Sequence, residues 1–297
     1  MTSDLSLTLS AVVCAIRDEA PIVLTIPTPD EAEGLPSGPF VPDRDRTLEA
    51  GLRRLVGEQT ELSLGHVEQL YTFGDRGRER LGEGNVVSVG YLALAGPDSP
   101  RPGWRSFYAA FPWEDWRAGE PAVAAALHDA LGRWAARDHQ RQARVASTIG
   151  SPALPWDEER VLERYELFYE AGLVREAVAD GRAEPHPLME RTGRAMAFDH
   201  RRILATALAR LRAKAKYRPV VFELMPDTFS LTELQRTVET IFGRAVHKGN
   251  FRRLVETAQL VEPSGGTARG GSGRPARLYR FRRAVLGERT AAGLRVR

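Results

Sequence analysis

The sequence predicts a mixed α/β fold: an N-terminal α/β sandwich with a helical extension, followed by a C-terminal winged helix-turn-helix. In residues 7–95, short apolar runs alternate with turn-rich joints and an amphipathic helix, which is an α/β pattern. Residues 122–180 have mostly helical spacing. After residue 198 the order is helix, extended segment, helix, turn, helix and hairpin, as in a winged helix-turn-helix.

The elements of the first domain follow from its apolar runs. Strands are predicted at LTLSAVVCAI, PIVLTIP, VEQLYTF, NVVSVGYLALA and WRSFYAAF, and a helix at residues 47–59. We divide the chain into residues 1–150 as the α/β domain, 151–197 as a helical linker or dimerisation region, and 198–297 as the winged helix-turn-helix.

Charge is distributed unevenly between the two ends of the chain. From Asp199 onward there are 21 Lys and Arg against 8 Asp and Glu, so this part carries +13, whereas the residues before it carry −10. The 297 residues, 42% of them hydrophobic, can supply a core for two domains. This asymmetry predicts a basic region that binds nucleic acid, joined to an acidic domain with another task.

Several classes of function are disfavoured by composition. The first residues lack a basic segment before an apolar run, and no stretch approaches the roughly 20 apolar residues that cross a bilayer, so a cytoplasmic protein without a membrane partner is predicted. The single cysteine, Cys14, excludes an intramolecular disulfide and a cysteine-cluster metal site. The six histidines lack ligand spacing, and no side chain has the local setting of a catalytic nucleophile, so neither a metal site nor a catalytic residue is predicted.

The middle region leaves two interpretations open. Aromatic residues at helical spacing follow residue 155, and they are Trp156, Tyr165, Phe168 and Tyr169. In one interpretation they form a core or a dimer interface. In the other they form a platform on which an adenine stacks. The segment FPWEDW, residues 111–116, can equally line a cleft or pack the core.

The basic C-terminal region has local signals for each element. DHRRILATALARLRAKAKY predicts a first helix with an apolar face and basic residues around the other face. RPVVFELMP predicts a brief strand or extended link. Ser230 and Glu233 have capping-box spacing for a second helix, and Gly243 can end it. In the third helix, KGNFRRLVETA, the residues Phe251 and Val255 belong to the buried stripe.

The third helix is the predicted reader of the DNA major groove. Projection at the helical period places Gly249 and Arg253 opposite the buried stripe, with Arg252 and Asn250 beside them. Arginine can pair with guanine and asparagine with adenine. The remaining DNA-contact candidates, mainly for phosphate, are Thr232, His247, Lys248, Arg269, Arg274 and Arg277. The alternative is a solvated basic helix beside a flexible glycine loop.

LPSGPFVPDRDRTLEAGLRRLVGEQTEL, residues 35–62, resembles the Nudix box, G-x5-E-x7-R-E-U-x-E-E-x-G-U, where U is aliphatic. The matching positions are Leu35, Pro36, Gly38, Arg54, Val56, Glu58 and Leu62. Departures occur at Leu55, Gln59 and Glu61, and Asp45 and Arg46 replace the usual Gly-Glu. Because diphosphate cleavage needs divalent metal held by several carboxylates, this helix predicts a nucleotide-binding domain that does not hydrolyse its ligand.

Over nearly its full length the chain resembles the Nudix-related transcriptional regulators of NAD metabolism, the NrtR family, and specifically their NadQ-type branch. The segments that carry this resemblance are WDEERVLERYELFYEAGLVREA, LTELQRTVETIFGRAVHKGNFRRLVE and GRPARLYRFRR. It implies a homodimeric repressor that binds palindromic operator DNA near NAD-synthesis genes.

The same resemblance implies that the Nudix-like domain binds an effector and requires no cofactor. The effector would be an adenine nucleotide: ADP-ribose, NAD or ATP. The candidate effector contacts are Arg54, Glu58, Phe111 and Trp113. Two alternatives remain: a magnesium-dependent Nudix hydrolase of ADP-ribose or a related compound, and a binding module for RNA or a protein.

Overall fold

The computed structural model describes residues 5–29, 32–74, 85–96, 103–151, 154–217, 219–267 and 275–285. The strands of the N-terminal part are β1 (Leu5–Arg17), β2 (Ala20–Leu24), β3 (Ile26–Pro27), β4 (Glu33–Gly34), β5 (Ser37–Pro39), β6 (Val67–Phe73), β7 (Asn85–Leu94) and β8 (Trp104–Ser106). The main sheet has the order β6-β7-β1-β2-β8, with β5 also paired to β1, and β3 pairs separately with β4. Strand β1 runs parallel to β7 and antiparallel to β2 and β5. The predicted α/β domain is thereby confirmed.

Both faces of this sheet are covered. On one face the alternate β1 residues Leu9 and Val13 belong to a cluster with Leu52 and Val56 of helix α1, Leu48–Thr60. On the opposite face, β1 residues such as Val12 and Cys14 join a second, larger cluster. The Thr47 hydroxyl caps α1 by accepting from the Ala50 N–H, and Glu61 ends the helix in the left-handed conformation.

The strand predicted over WRSFYAAF is correct only for its first three residues. The Ser106 hydroxyl accepts a hydrogen bond from the Tyr108 N–H and starts a short helix, α2, Phe107–Ala110. Phe107, Ala110 and Phe111 are all buried. A helical turn places residues three and four positions apart on the same face, whereas a strand would place Phe107 and Ala110 on opposite faces.

The middle region is helical, as predicted, and it consists of several short helices. Its helices are α3 (Ala124–Ala135), α4 (His139–Ile149), α5 (Val161–Glu170) and α6 (Arg175–Ala179). The Asp138 carboxylate starts α4 by accepting from the N–H groups of Gln140 and Arg141. Gly150, at φ 98°, follows the end of α4 and marks the predicted break before α5.

The C-terminal region has the predicted winged helix order. Its helices are α7 (His200–Tyr217), α8 (Leu231–Phe242) and α9 (Lys248–Ala258), and its strands are β9 (Phe229–Ser230), β10 (Val261–Thr267) and β11 (Arg277–Phe281). These strands form a sheet in the order β10-β11-β9. The capping box is present, because Ser230 accepts from the Glu233 N–H while the Glu233 carboxylate accepts from the Ser230 N–H. Gly243 caps α8 at φ 68°.

The prediction of a strand or extended link in RPVVFELMP is wrong, because Pro219–Leu224 forms a 3₁₀ helix. Proline fits the first position of a helical turn, where its missing N–H has no partner to lose. Val221 and Leu224 are both buried, and a 3₁₀ turn aligns residues three apart on one side.

Helix α7 packs against both parts of the molecule. Gly90 of β7 leaves room for the Ile203 and Phe73 side chains, so the helix covers the face of the N-terminal sheet opposite α1. The same helix contacts α8 through one continuous hydrophobic cluster. Its basic residues do not all face solvent as predicted: Arg201 and Arg212 are 1% and 0% exposed. The divisions at residues 150 and 197 stay predictions. Within the described residues, no helix is long and apolar enough to cross a membrane.

Candidate nucleic-acid and effector sites

Helix α9 presents the basic face that the sequence predicted. Phe251 and Val255 are each 1% exposed and fasten the helix to the core. The exposed residues are His247, Lys248, Gly249, Asn250, Arg252 and Arg253. Within the described part of the chain, no acidic partner occupies Arg252 or Arg253. Both guanidinium groups are therefore available to an external anion, and the N-terminus of α9 adds positive partial charge beside them.

The turn before α9 is held by side chains of α8. The Glu239 carboxylate accepts from the Val246 N–H at 2.8 Å, and the Gln235 amide donates to the Val246 carbonyl at 2.9 Å. The same Gln235 amide donates to Glu239 at 3.0 Å. Because these bonds fix the turn, they also fix the direction in which α9 leaves α8.

The wing supplies part of the predicted phosphate-contact set. Arg277 is exposed at the start of β11, and Thr232 is exposed in the first turn of α8. Arg280 is engaged by Glu262 at 2.7 Å. Arg269 and Arg274 lie outside the described residues.

Helix α1 carries an ion network at the positions that resemble a Nudix box. The Arg54 guanidinium donates to both oxygens of Asp45, at 2.7 and 2.8 Å, and to Glu58 at 2.9 Å. Arg44 donates to the other Glu58 oxygen at 3.1 Å. The hydrogen bond from Arg54 lowers the pKa of Asp45 to about 2. Asp45 is thus ionised at neutral pH, and two arginines share the charge of Glu58.

The side chains at two other altered positions of the box, Leu55 and Gln59, have structural roles. The Gln59 amide accepts from the Ser37 N–H at 3.1 Å and donates to the Ser37 carbonyl at 2.8 Å, which joins α1 to β5. Leu55 is buried, and its Cδ1 lies where a side chain on Gly38 would have its Cβ, 2.6 Å away. Leu55 therefore packs in the core where the Nudix box has a carboxylate.

These residues do not fit the magnesium that Nudix hydrolysis uses. A divalent cation needs several free carboxylate oxygens, whereas Glu58 already contacts Arg44 and Arg54. Across the described ranges, no three His, Cys, Asp or Glu side chains are grouped closely enough to hold a metal ion. Among the described residues, this helix does not offer the free carboxylate oxygens that a magnesium ion requires.

The four predicted effector contacts do not come together. Arg54 and Glu58 belong to α1, whose apolar side packs with one face of the sheet, whereas Phe111 and Trp113 belong to the cluster on the other face. Phe111 is fully buried and meets Trp113 edge-on, with ring centroids 5.8 Å apart. Phe111 therefore packs in the core, which is one of the two interpretations that the sequence left open for residues 111–116. The assignment of Arg54, Glu58 and Trp113 as effector contacts stays a prediction.

Sequence reasoning missed a buried ion cluster beside these aromatic rings. Glu114 is fully buried and accepts from Arg164 at 2.5 and 3.0 Å and from Arg212 at 2.5 Å. Burial by itself would raise the pKa of Glu114, but the two guanidinium groups outweigh it and hold that pKa below its ordinary value. Local spacing gives no sign of this cluster, since its members come from the 111–116 segment, α5 and α7.

The cluster also holds the helix-turn-helix against the N-terminal part. Arg212 donates to the Ile241 carbonyl at 2.9 Å and to the Glu114 carbonyl at 3.2 Å. The Gly243 carbonyl accepts from the Trp116 N–H at 2.6 Å, and the Tyr108 hydroxyl donates to the Thr240 carbonyl at 2.6 Å. The turn that precedes α9 is thus bonded directly to the N-terminal part.

The fold and these surfaces define a two-domain protein, a Nudix-like α/β sandwich joined to a winged helix-turn-helix. Residues 221–281 match the model of the NrtR DNA-binding winged helix domain. The ADPR responsive transcriptional repressor NtrR of Acinetobacter baylyi is 43% identical over 86 residues, which are 29% of this chain and 34% of that protein. The match spans about a third of the length of that curated relative.

Solved structures extend the likeness to the whole chain. Shewanella oneidensis NrtR complexed with a 27mer DNA has a TM-score of 0.59 at 22% identity, covering 98% of this chain and 99% of that chain. A MutT/nudix family protein from Enterococcus faecalis has a TM-score of 0.52 at 17% identity, covering 95% and 88%. The resemblance to the NrtR family is confirmed in the fold and in the winged helix domain. The NadQ-type branch stays a prediction.

Proposed function

We propose that this protein is a DNA-binding transcriptional repressor of NAD-biosynthesis genes that senses an adenine nucleotide, with ADP-ribose as the leading candidate. The observation that carries the proposal is the exposed basic face of α9, which is held by a turn bonded to a Nudix-like domain. The relative from Acinetobacter baylyi is named as an ADPR responsive repressor, which supports both parts of the proposal.

The effector is proposed to act without being cleaved. Arg44, which is exposed beside Glu58, offers positive charge to a diphosphate, and Arg54 orients Glu58 next to it, while the missing carboxylates remove the metal site. Because Arg212 and Gly243 join the two domains, a ligand that shifts the N-terminal part changes the position of α9. NAD and ATP are further candidates, and no cofactor is proposed.

DNA binding is proposed to involve two copies of the chain in the cytoplasm. A two-fold symmetric dimer places two α9 helices in successive major grooves, which corresponds to palindromic half-sites about one helical turn apart. The proposed base readers are Gly249, Asn250, Arg252 and Arg253. His247, Lys248, Arg277 and Thr232 are proposed as positioning contacts to the backbone, together with Arg269 and Arg274.

Arg253→Ala is expected to weaken binding to the palindromic operator by about tenfold or more and to relax base preference at one position. The reason is that a bidentate arginine-guanine pair contributes about 1–3 kcal/mol of discrimination. Fluorescence anisotropy with the operator and with a scrambled duplex, at two salt concentrations, measures both quantities.

Arg133→Ala is the matched control, since Arg133 is also exposed but belongs to α3, outside the winged helix-turn-helix. It should leave operator affinity unchanged. Equal affinity of the wild-type protein for both duplexes, or a preference for single-stranded RNA, would contradict the repressor and favour a general nucleic-acid module. Absence of nucleic-acid binding would favour a protein-binding module.

Glu58→Gln separates sensing from hydrolysis. If the domain is a sensor, wild-type protein does not turn over ADP-ribose with magnesium, and the variant binds ADP-ribose about threefold more tightly. Removal of one exposed negative charge beside a diphosphate has an effect of this order. Calorimetry measures the affinity, and phosphate-product detection at high protein concentration measures turnover.

Glu49→Gln is the control for this experiment because Glu49 is an exposed acid of the same helix and forms an (i, i+4) pair with Arg53. The control should leave ADP-ribose affinity close to that of the wild type. Magnesium-dependent turnover by the wild type that disappears in Glu58→Gln would instead establish the hydrolase.

A further inference from the structure

A cavity of about 150 Å³ lies where residues 111–116 meet α3, α4 and α5. The lining residues are aromatic, aliphatic and, at a few positions, polar. The aromatic ones are Trp113, Trp116, Trp156 and Phe168, and small or aliphatic residues such as Ala124 and Leu127 complete the wall. This cavity is separate from the surface of α1, which packs with the other face of the sheet.

The size of the cavity sets the size of an occupant. A protein cavity of about 150 Å³ with an apolar lining stays dry and accepts benzene. The space between the walls therefore holds a single six-membered ring with one small substituent, whose polar end reaches the open rim, and a nucleotide does not fit between these walls.

The walls are already arranged for a flat aromatic ring. Trp116 and Trp156 have ring centroids 5.9 Å apart, and the Trp116 indole N–H donates to the Trp113 carbonyl at 3.0 Å. The Arg164 guanidinium lies 4.3 Å from the Trp156 ring centre and binds Glu114 through two hydrogen bonds. Because these contacts fix the rings, little side-chain entropy is lost when a ligand enters.

The polar groups of the lining favour a ring that carries N–H donors. Glu120 and His128 stand at the exposed rim, and Glu120 forms no ion pair within the described ranges. The positive charge of Arg164 is already engaged by Glu114.

We propose that this cavity is a binding site for a single-ring aromatic amide. The ring packs among the tryptophans, and the amide N–H donates to the Glu120 carboxylate. This binding site is additional to the proposed repressor function, and its presence does not depend on that function. An occupant also touches Trp156, which lies over the guanidinium groups of Arg164 and Arg212.

Benzamide and benzoate, which have nearly the same shape, test the proposal by calorimetry on the full chain without DNA or nucleotide. Benzamide is expected to bind saturably and about tenfold more tightly than benzoate, because Glu120 accepts from the amide and repels the carboxylate. Glu120→Gln should bring the two affinities to within about twofold of each other.

Ala124→Leu tests the location, since this side chain lines the cavity and the added atoms fill it. It should abolish benzamide binding, whereas Ala125→Leu, at the exposed neighbouring position, should not. Circular dichroism checks that both variants fold. The proposal is overturned by absence of saturable benzamide binding to the wild type, by benzoate binding as tightly as benzamide, or by unchanged binding to a folded Ala124→Leu.

Discussion

Gly243→Ala is expected to lower the free energy of unfolding by about 3 kcal/mol and to weaken operator binding. Part of this loss comes from the left-handed backbone at φ 68°, which costs a residue with a Cβ about 1–2 kcal/mol. The rest of the loss comes from steric overlap between the added Cβ and neighbouring atoms. A Cβ here would lie 2.7 Å from Arg212 Nη2 and 2.9 Å from the Tyr108 hydroxyl, and it would overlap the Glu114 carbonyl oxygen.

Gly265→Ala is a control that separates these two causes. Gly265 also has a left-handed backbone, at φ 83°, but among the described residues no atom beyond its chain neighbours lies within 4 Å of the position of its Cβ. This variant should lose only about 1 kcal/mol, the backbone part of the effect. Urea unfolding of both variants gives the comparison. Equal losses would show that the neighbours of Gly243 move aside without cost and that the packing against the N-terminal part does not contribute to the effect.

The elements that could be predicted from the sequence are those with local signals. Ser230 and Glu233 are three residues apart, and Gly243 directly follows the helix that they begin. The sequence signals for each end of α8 therefore lie close to that end. The stripe of Phe251 and Val255 also depends only on helical spacing. For the same reason the exposed face of α9 was predicted correctly.

What could not be predicted depends on residues distant in the chain. Arg212 looked like part of a solvated face, yet it is fully buried because Glu114, 98 positions earlier, lies against it. A buried charge is tolerated only with such a partner, and spacing within one helix cannot reveal a partner on another element. The choice between cleft and core for Phe111 stayed open for the same reason, because its burial depends on contacts with α5 and α7.

The features of the altered Nudix helix could be predicted only in part. The absence of carboxylates at Leu55 and Gln59 could be seen in the sequence, and it predicts the loss of metal binding. The new tasks of the replacements could not be seen. Gln59 holds the backbone of Ser37, and Glu58 is shared by two arginines, one of which, Arg44, comes from a loop.

Glu114→Gln is expected to lower the free energy of unfolding at neutral pH by about 3–5 kcal/mol. The substitution keeps the shape of the side chain but leaves Arg164 and Arg212 buried without their counter-charge, and loss of one partner from a buried ion pair has a cost of this order. Glu190→Gln is the control, because its pair with Arg175 is exposed and should contribute less than about 1 kcal/mol.

The pH dependence of this difference provides a stricter test. The folded-state pKa of Glu114 is held below its ordinary value of 4.5, so the carboxylate contributes stability that is fully present above pH 4.5. As the pH falls through the lowered folded-state pKa, Glu114 becomes protonated in the folded protein and that contribution is lost. Unfolding curves of the wild type and Glu114→Gln should therefore converge in acid, while Glu190→Gln stays close to the wild type throughout. A difference that remained unchanged down to the acid limit of folding would mean that the amide destabilises the cluster through its geometry, and the charge of Glu114 would not be what holds Arg164 and Arg212 in the core.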